Sequence, residues 1–263
     1  MPALRTFRSV ATVVVLSLIL ISCGSGRVGS RGESVDQLYT EAMRLFEDED
    51  WLEARRLFDV ISLQYPASEY ADDADFHLAQ IHYEMGEYIL AAFKFSSVYR
   101  SYPRSDLMRR AHMQEAMCYY KLSPSFNRDQ TYTHQAILKL TEYQALFPGD
   151  ERAGDCTRMI EELREKLGRR EFETAVLYTK MRLRGASIVY YDGVINNFDD
   201  TSFLEPAFLG KLQSLMILER YDEARETVRL YRKRFPSGEL LDEINDIGRE
   251  VEERLSLGEK GEK

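Results

Sequence analysis

The stretch Trp51–Pro66, WLEARRLFDVISLQYP, constrains the fold more than any other part of the chain, because its skeleton recurs four more times. The five copies end at Pro66, Pro103, Pro148, Asp199 and Pro236. Twelve residues before these anchors stand Ala54, Ala91, Ala136, Ser187 and Ala224, all small. Eight before come Phe58, Phe95, Leu140, Tyr191 and Val228, five before come Ile61, Val98, Tyr143, Val194 and Tyr231, and one before come Tyr65, Tyr102, Phe147, Phe198 and Phe235. Steps of three and four put these positions on one helix face, and recurrence of the whole face marks a stacked repeat array. The column fifteen before the anchor, Trp51, Tyr88, Thr133, Arg184 and Tyr221, is aromatic in three copies of five, and the fourth copy is the weakest because it also lacks the proline.

Each such helix is preceded by a second amphipathic segment. The anchors lie 37, 45, 51 and 37 residues apart. The longer third copy holds its extra residues in Leu122–Gln130, LSPSFNRDQ, which has loop composition, and those of the fourth precede its first helix. Glu151–Leu183 reads as one long helix or two end to end, with Gly154 and Gly168 weakening straight continuity. A two-helix unit near 34 residues, with small residues at the helix contact and proline after the second helix, is the tetratricopeptide pattern. The expectation is an all-α, right-handed tetratricopeptide-repeat superhelix of five helix pairs plus a C-terminal helix, occupying residues 34–255 as one domain. Its repeats lie at about 34–66, 69–103, 105–148, 150–199 and 202–236, with a last helix at 238–255 and a flexible tail at 256–263.

The N-terminus carries an address. Arg5 and Arg8 precede an uncharged apolar run, Val10–Ile21, too short to span a bilayer. Leu20-Ile21-Ser22-Cys23 then resembles a bacterial lipobox, so residues 1–22 read as a lipoprotein signal peptide. Residues 23–33 read as a lipidated flexible tether. On that reading Cys23 carries an S-diacylglycerol and an N-acyl chain, which anchor durably at roughly 0.8 kcal/mol per buried methylene without any transmembrane helix. Gly24 stands where aspartate would favour inner-membrane retention, so outer-membrane, periplasm-facing placement is expected. Loss of the signal peptide leaves 33 basic against 44 acidic residues, a balance that argues against nucleic acid as a partner. Cys118 and Cys156 read as separate packed thiols, although a pair is open to a chain in an oxidising compartment.

In a tetratricopeptide array the first helix of each pair lines the concave face. Register places Tyr39, Met43 and Phe46 there in the first copy, Phe76, Gln80 and Tyr83 in the second, and Met113, Met117 and Tyr120 in the third. Methionine adapts its shape and aromatic rings bury much area at little entropic cost, so this set forms a candidate peptide-binding groove. The same positions also suit contacts between helices, and register leaves the two open. His77, His82, His112 and His134 show no metal-ligand spacing, and neither a phosphate loop nor a nucleophile motif occurs. No enzyme activity, metal or cofactor beyond the covalent lipid is expected.

The lipobox at Cys23, the short tether, five repeats with aromatic-proline ends and the two placed insertions together resemble the BamD (ComL) family of outer-membrane assembly lipoproteins. The resemblance is most specific at Leu63–Tyr70, LQYPASEY, and at Arg170–Ala186, REFETAVLYTKMRLRGA. Phe198-Asp199-Asp200-Thr201 departs from the family's usual tyrosine-proline-aspartate-threonine. What the resemblance implies is a non-enzymatic scaffold of the β-barrel assembly machinery. Its partners would be the periplasmic domains of BamA, other machinery subunits and unfolded β-barrel outer-membrane proteins, whose C-terminal segments the groove would hold. The alternative is a repeat lipoprotein scaffolding cell-wall or Tol-type complexes.

Overall fold

A computed structural model describes residues 34–261, so the signal peptide, Cys23 and the tether fall outside the described residues. The described residues form eleven helices: α1 Val35–Glu47, α2 Trp51–Gln64, α3 Ala71–Glu84, α4 Tyr88–Ser101, α5 Met108–Leu122, α6 Thr131–Leu146, α7 Ala153–Lys180, α8 Arg184–Asn197, α9 Leu204–Ile217, α10 Tyr221–Arg234 and α11 Leu241–Gly261. The fold class is all-α. The chain divides into two compact units, one ending at Leu78 and the other beginning at Ala79 within α3.

The repeat columns are the core. Ala54, Ala91, Ala136, Ser187 and Ala224 are each fully buried, as are Phe58, Phe95, Leu140, Ile61, Tyr143, Val194 and Tyr231. A small side chain at the first of these columns lets two helix backbones approach closely, and the larger ones fill the space beyond it. In the first unit α1 packs on α2; in the second, each helix from α4 to α11 packs on the next.

Two backbone devices recur with the columns. At the turn between paired helices Glu49, Gly86, Arg182 and Glu219 all have positive φ, between 56° and 77°. Each is followed by a residue whose N–H bonds a carbonyl five back: Asp50 to Leu45, Glu87 to His82, Leu183 to Tyr178 and Arg220 to Leu215. This is the Schellman ending, which satisfies carbonyls left over at the helix end. At the other end of each repeat the residue three after the aromatic bonds back to it: Ser68 N–H to Tyr65, Ser105 to Tyr102, Asp150 to Phe147, Thr201 to Phe198 and Gly238 to Phe235. The fourth copy therefore keeps the junction geometry without proline, and charge secures it. Arg234 Nη2 donates to Asp199 Oδ2 at 2.7 Å, and Arg164 Nη2 donates to Asp200 Oδ1 at 2.7 Å and to the Asn197 carbonyl at 2.8 Å.

The structure decides one reading the sequence leaves open, moves one helix end and adds detail to one loop. α7 is one unbroken helix of 28 residues. Gly168 sits inside it as a point of close approach, where an added Cβ would lie 2.8 Å from Thr201 Oγ1. α11 continues to Gly261, past the expected end at 255 and into the stretch expected to be a flexible tail. The insertion Leu122–Gln130 is a loop, as expected, and is tied together from within: Gln130 Nε2 donates to the Ser125 and Arg128 carbonyls at 2.9 Å. Thr133 Oγ1, standing where three of the other copies have an aromatic, donates to Gln130 Oε1 at 2.7 Å. Lys166 Nζ of α7 reaches Ser123 Oγ at 2.8 Å, and Arg169 lies 4.3 Å over the Phe126 ring, so the loop is fastened to the long helix.

Candidate peptide-binding faces

In the first unit, Ser34 starts α1 with a reciprocal capping box: its Oγ accepts from Gln37 N–H, and Gln37 Oε1 accepts from Ser34 N–H. Leu38 and Ala42 point into the core, and Asp36, Tyr39, Met43 and Glu47 form a stripe beside that face, with Tyr39 and Met43 partly buried and Asp36 and Glu47 exposed. Tyr39 is half-buried and stacks on Tyr70 at 4.4 Å between centroids with its edge toward Phe58. Tyr70 donates its hydroxyl to Asp36 Oδ1 at 3.0 Å. Burial, and then the nearby charge of Asp73, push the Tyr39 pKa up. Phe46 is wedged edge-on among Trp51, Phe58 and His77 and is only partly accessible. Phe76 is 1% exposed and belongs to the core, so it presents nothing to a ligand.

In the second unit, Gln80 is held from both ends, donating to Glu84 Oε1 at 2.6 Å and accepting from Gln114 Nε2 at 2.8 Å. Tyr83 is half-buried edge-on against Tyr88, and burial pushes its pKa up to about 12. Met113 is a second correction to the register assignment. It is buried with Ala116, Ala136, Leu140, Tyr143, Cys156 and Leu163, and its sulfur lies 3.9 Å from Cys156 Sγ. Met117 and Tyr120 pack over the rim of that cluster and stay partly accessible, and Tyr120 donates to Glu162 Oε2 at 2.6 Å. Register assigns every one of these to the concave face, but Phe76 and Met113 are drawn inward because each fills space between helices.

Cys118 and Cys156 are free and buried, and burial raises both thiols, Cys118 to about 12. Among the described residues no group of three or more His, Cys, Asp or Glu side chains converges as a metal site, and no helix is long and apolar enough to cross a membrane. A surface the register argument missed lies at the start of α4. There Ile89 and Phe93 are 59% and 61% exposed beside Leu90, Tyr88 and Leu122 around a shallow apolar concavity. An apolar i, i+4 pair outside the repeat columns is the signal that would have found it.

A family profile described as outer membrane lipoprotein, YfiO, matches residues 31–230. The chain belongs to the YfiO family. Its relatives include outer membrane protein assembly factor BamD of Caulobacter vibrioides, 23% identical over 98% of this chain and 88% of that protein. The proteins of that name from Rickettsia prowazekii and Neisseria meningitidis serogroup B are 22% and 23% identical, each over 89% of this chain and 94% of its own length. The family match thus spans residues 31–230, and the likeness to the BamD proteins extends over about nine-tenths of the chain or more at low identity. Among solved structures, the apo form of RapI overlaps 96% of this chain and of its own at 12% identity with a TM-score of 0.41. A tetratricopeptide repeat protein from Parabacteroides merdae overlaps 86% and 91% at 14% identity with a TM-score of 0.39. Overlaps this loose add nothing to the helices described above.

Proposed function

We propose that this protein is a non-enzymatic scaffold lipoprotein of the β-barrel assembly machinery. Anchored by acyl chains on Cys23 in the outer membrane and facing the periplasm, it binds the periplasmic domains of BamA and the C-terminal segments of unfolded barrel proteins. The observation that carries this reading is the end-to-end similarity to proteins named BamD, joined to a YfiO match across the repeats. The partly accessible side chains Tyr39, Met43 and Phe46 in the first unit, and Tyr83, Met117 and Tyr120 in the second, support peptide holding, since aromatic and methionine side chains that keep some accessible surface on helices suit apolar anchors.

Depletion of the protein followed by quantification of outer-membrane barrels tests the reading; unchanged barrel levels would sink it. Replacing Tyr39 and Tyr83 by alanine is expected to weaken binding of an aromatic-ended barrel peptide by more than about 1 kcal/mol while BamA still co-purifies. Phe76 and Met113 are left out of that test because they are core residues whose truncation would unsettle the helices.

A further inference from the structure

The charge of the chain is concentrated. Residues 34–78 hold 12 acidic and 3 basic side chains, a net of −9 in 45 residues, while residues 79–263 hold 31 acidic and 28 basic, a net of −3. Two of the three basic residues within 34–78 are already engaged: Arg44 pairs with Glu41 and Asp48, and Arg56 with Glu53. Acidic side chains in the first turn of α3 are favoured by the helix dipole, which accounts for Asp72 and Asp73 as far as stability goes. The same holds for Asp36 in the first turn of α1, which also accepts the Tyr70 hydroxyl; neither contact accounts for the net of −9 over residues 34–78 or for the stacked Tyr39–Tyr70 pair that these carboxylates flank.

We propose that the outer stripe of α1, together with Tyr70 and the start of α3, receives an extended peptide segment that carries arginine or lysine close to an aromatic or aliphatic residue. The inference rests on the reading that the first unit holds client peptides, and adds the charge its ligand must have. The ring pair Tyr39–Tyr70 and Met43 take the apolar residue. Asp36, with Asp72 and Asp73 nearby, takes the cation, where a planar guanidinium also gains from lying against tyrosine. The excess negative charge of the whole unit steers such a segment toward the stripe and turns acidic ones away.

The test is fluorescence anisotropy on the full mature chain. Three labelled peptides of about ten residues each end in phenylalanine and differ only in two upstream positions, filled by arginine, glutamine or glutamate. The arginine peptide is expected to bind about tenfold tighter than the glutamine peptide at about 50 mM salt, with most of that gain lost at about 300 mM, where screening shortens the reach of the field. Asp36→Asn with Asp72→Asn keeps each oxygen acceptor and should bring the arginine peptide's affinity down to that of the glutamine peptide on the same variant. Equal affinity of the arginine and glutamine peptides would overturn the charge inference and leave client holding intact. Binding of none of the three would overturn both. The chain also carries Arg27 and Arg31 just ahead of α1. If Arg27→Ala with Arg31→Ala tightened the arginine peptide's binding about tenfold or more, the occupant would be the chain's own segment and the assignment to a partner would fall.

Discussion

The two units are built from one repeat yet solve different problems. The second secures its helices with cross-repeat polar contacts. Glu205 accepts the Tyr231 hydroxyl and, at 2.9 Å, the Leu240 N–H. Glu115, buried and with its pKa raised by that burial, accepts from Tyr99 at 2.9 Å and lies 3.4 Å from Lys139. The first unit carries a strong excess of like charge and is centred on an aromatic cluster of Tyr39, Phe46, Phe58, Tyr70 and His77. A repeat array tolerates this division because each repeat needs only its neighbours for stability, so one end is free to carry charge that would weaken a compact domain.

The largest test of that contrast is Phe58→Ala. It empties the centre of the aromatic cluster and is expected to cost about 3–5 kcal/mol. Hydrogen exchange should show protection lost over 35–78 and kept over 204–251; equal loss in both would make the units one cooperative block. Next, Glu205→Ala removes one acceptor from two donors and should cost the second unit about 2 kcal/mol by chemical denaturation, leaving 35–78 protected. Asp150 sharpens the contrast through pH. Its carboxylate accepts from the Arg152 side chain and N–H at 3.1 and 2.9 Å, contacts that hold its folded pKa well below the ordinary 3.8. A depressed carboxylate stabilises above its unfolded pKa and loses that contribution as pH falls through the folded one. The melting-temperature deficit of Asp150→Asn should therefore be full at pH 7 and shrink below about pH 4. Smallest are Glu49→Gly and Glu219→Gly, one in each unit at the same left-handed turn position. Relief of the positive-φ cost, partly offset by glycine's unfolded entropy, should raise stability by about 0.5 kcal/mol in both, and a gain in only one would show that the turns are not equivalent.

How much of this was legible beforehand follows from what sets each feature. The four columns counted back from the anchors report burial between helices, and burial is what forced those residue types. The turn positions were half legible: Gly86 announces a positive φ, whereas Glu49, Arg182 and Glu219 occupy the same conformation with no compositional sign. The groove assignment erred at Phe76 and Met113 because register gives the azimuth of a position but not how far neighbouring helices close over it. Gly168 was read as a weakness in α7, when the close approach of Thr201 is what requires it. The acidity of the first unit was visible in the sequence, but the boundary at Leu78 was needed to see that it belongs to one body.

The fourth junction has a mechanical corollary. Proline fixes its own φ covalently and restricts the residue before it, whatever the solution around it. Asp199 and Asp200 replace that restraint with ion pairs to Arg234 and Arg164 whose side chains stay 30–50% exposed, and exposed pairs of this kind weaken as salt rises. Of the five junctions this is the one without proline, so its restraint is expected to loosen as ionic strength rises, while the covalent restraint at the other four stays as it is.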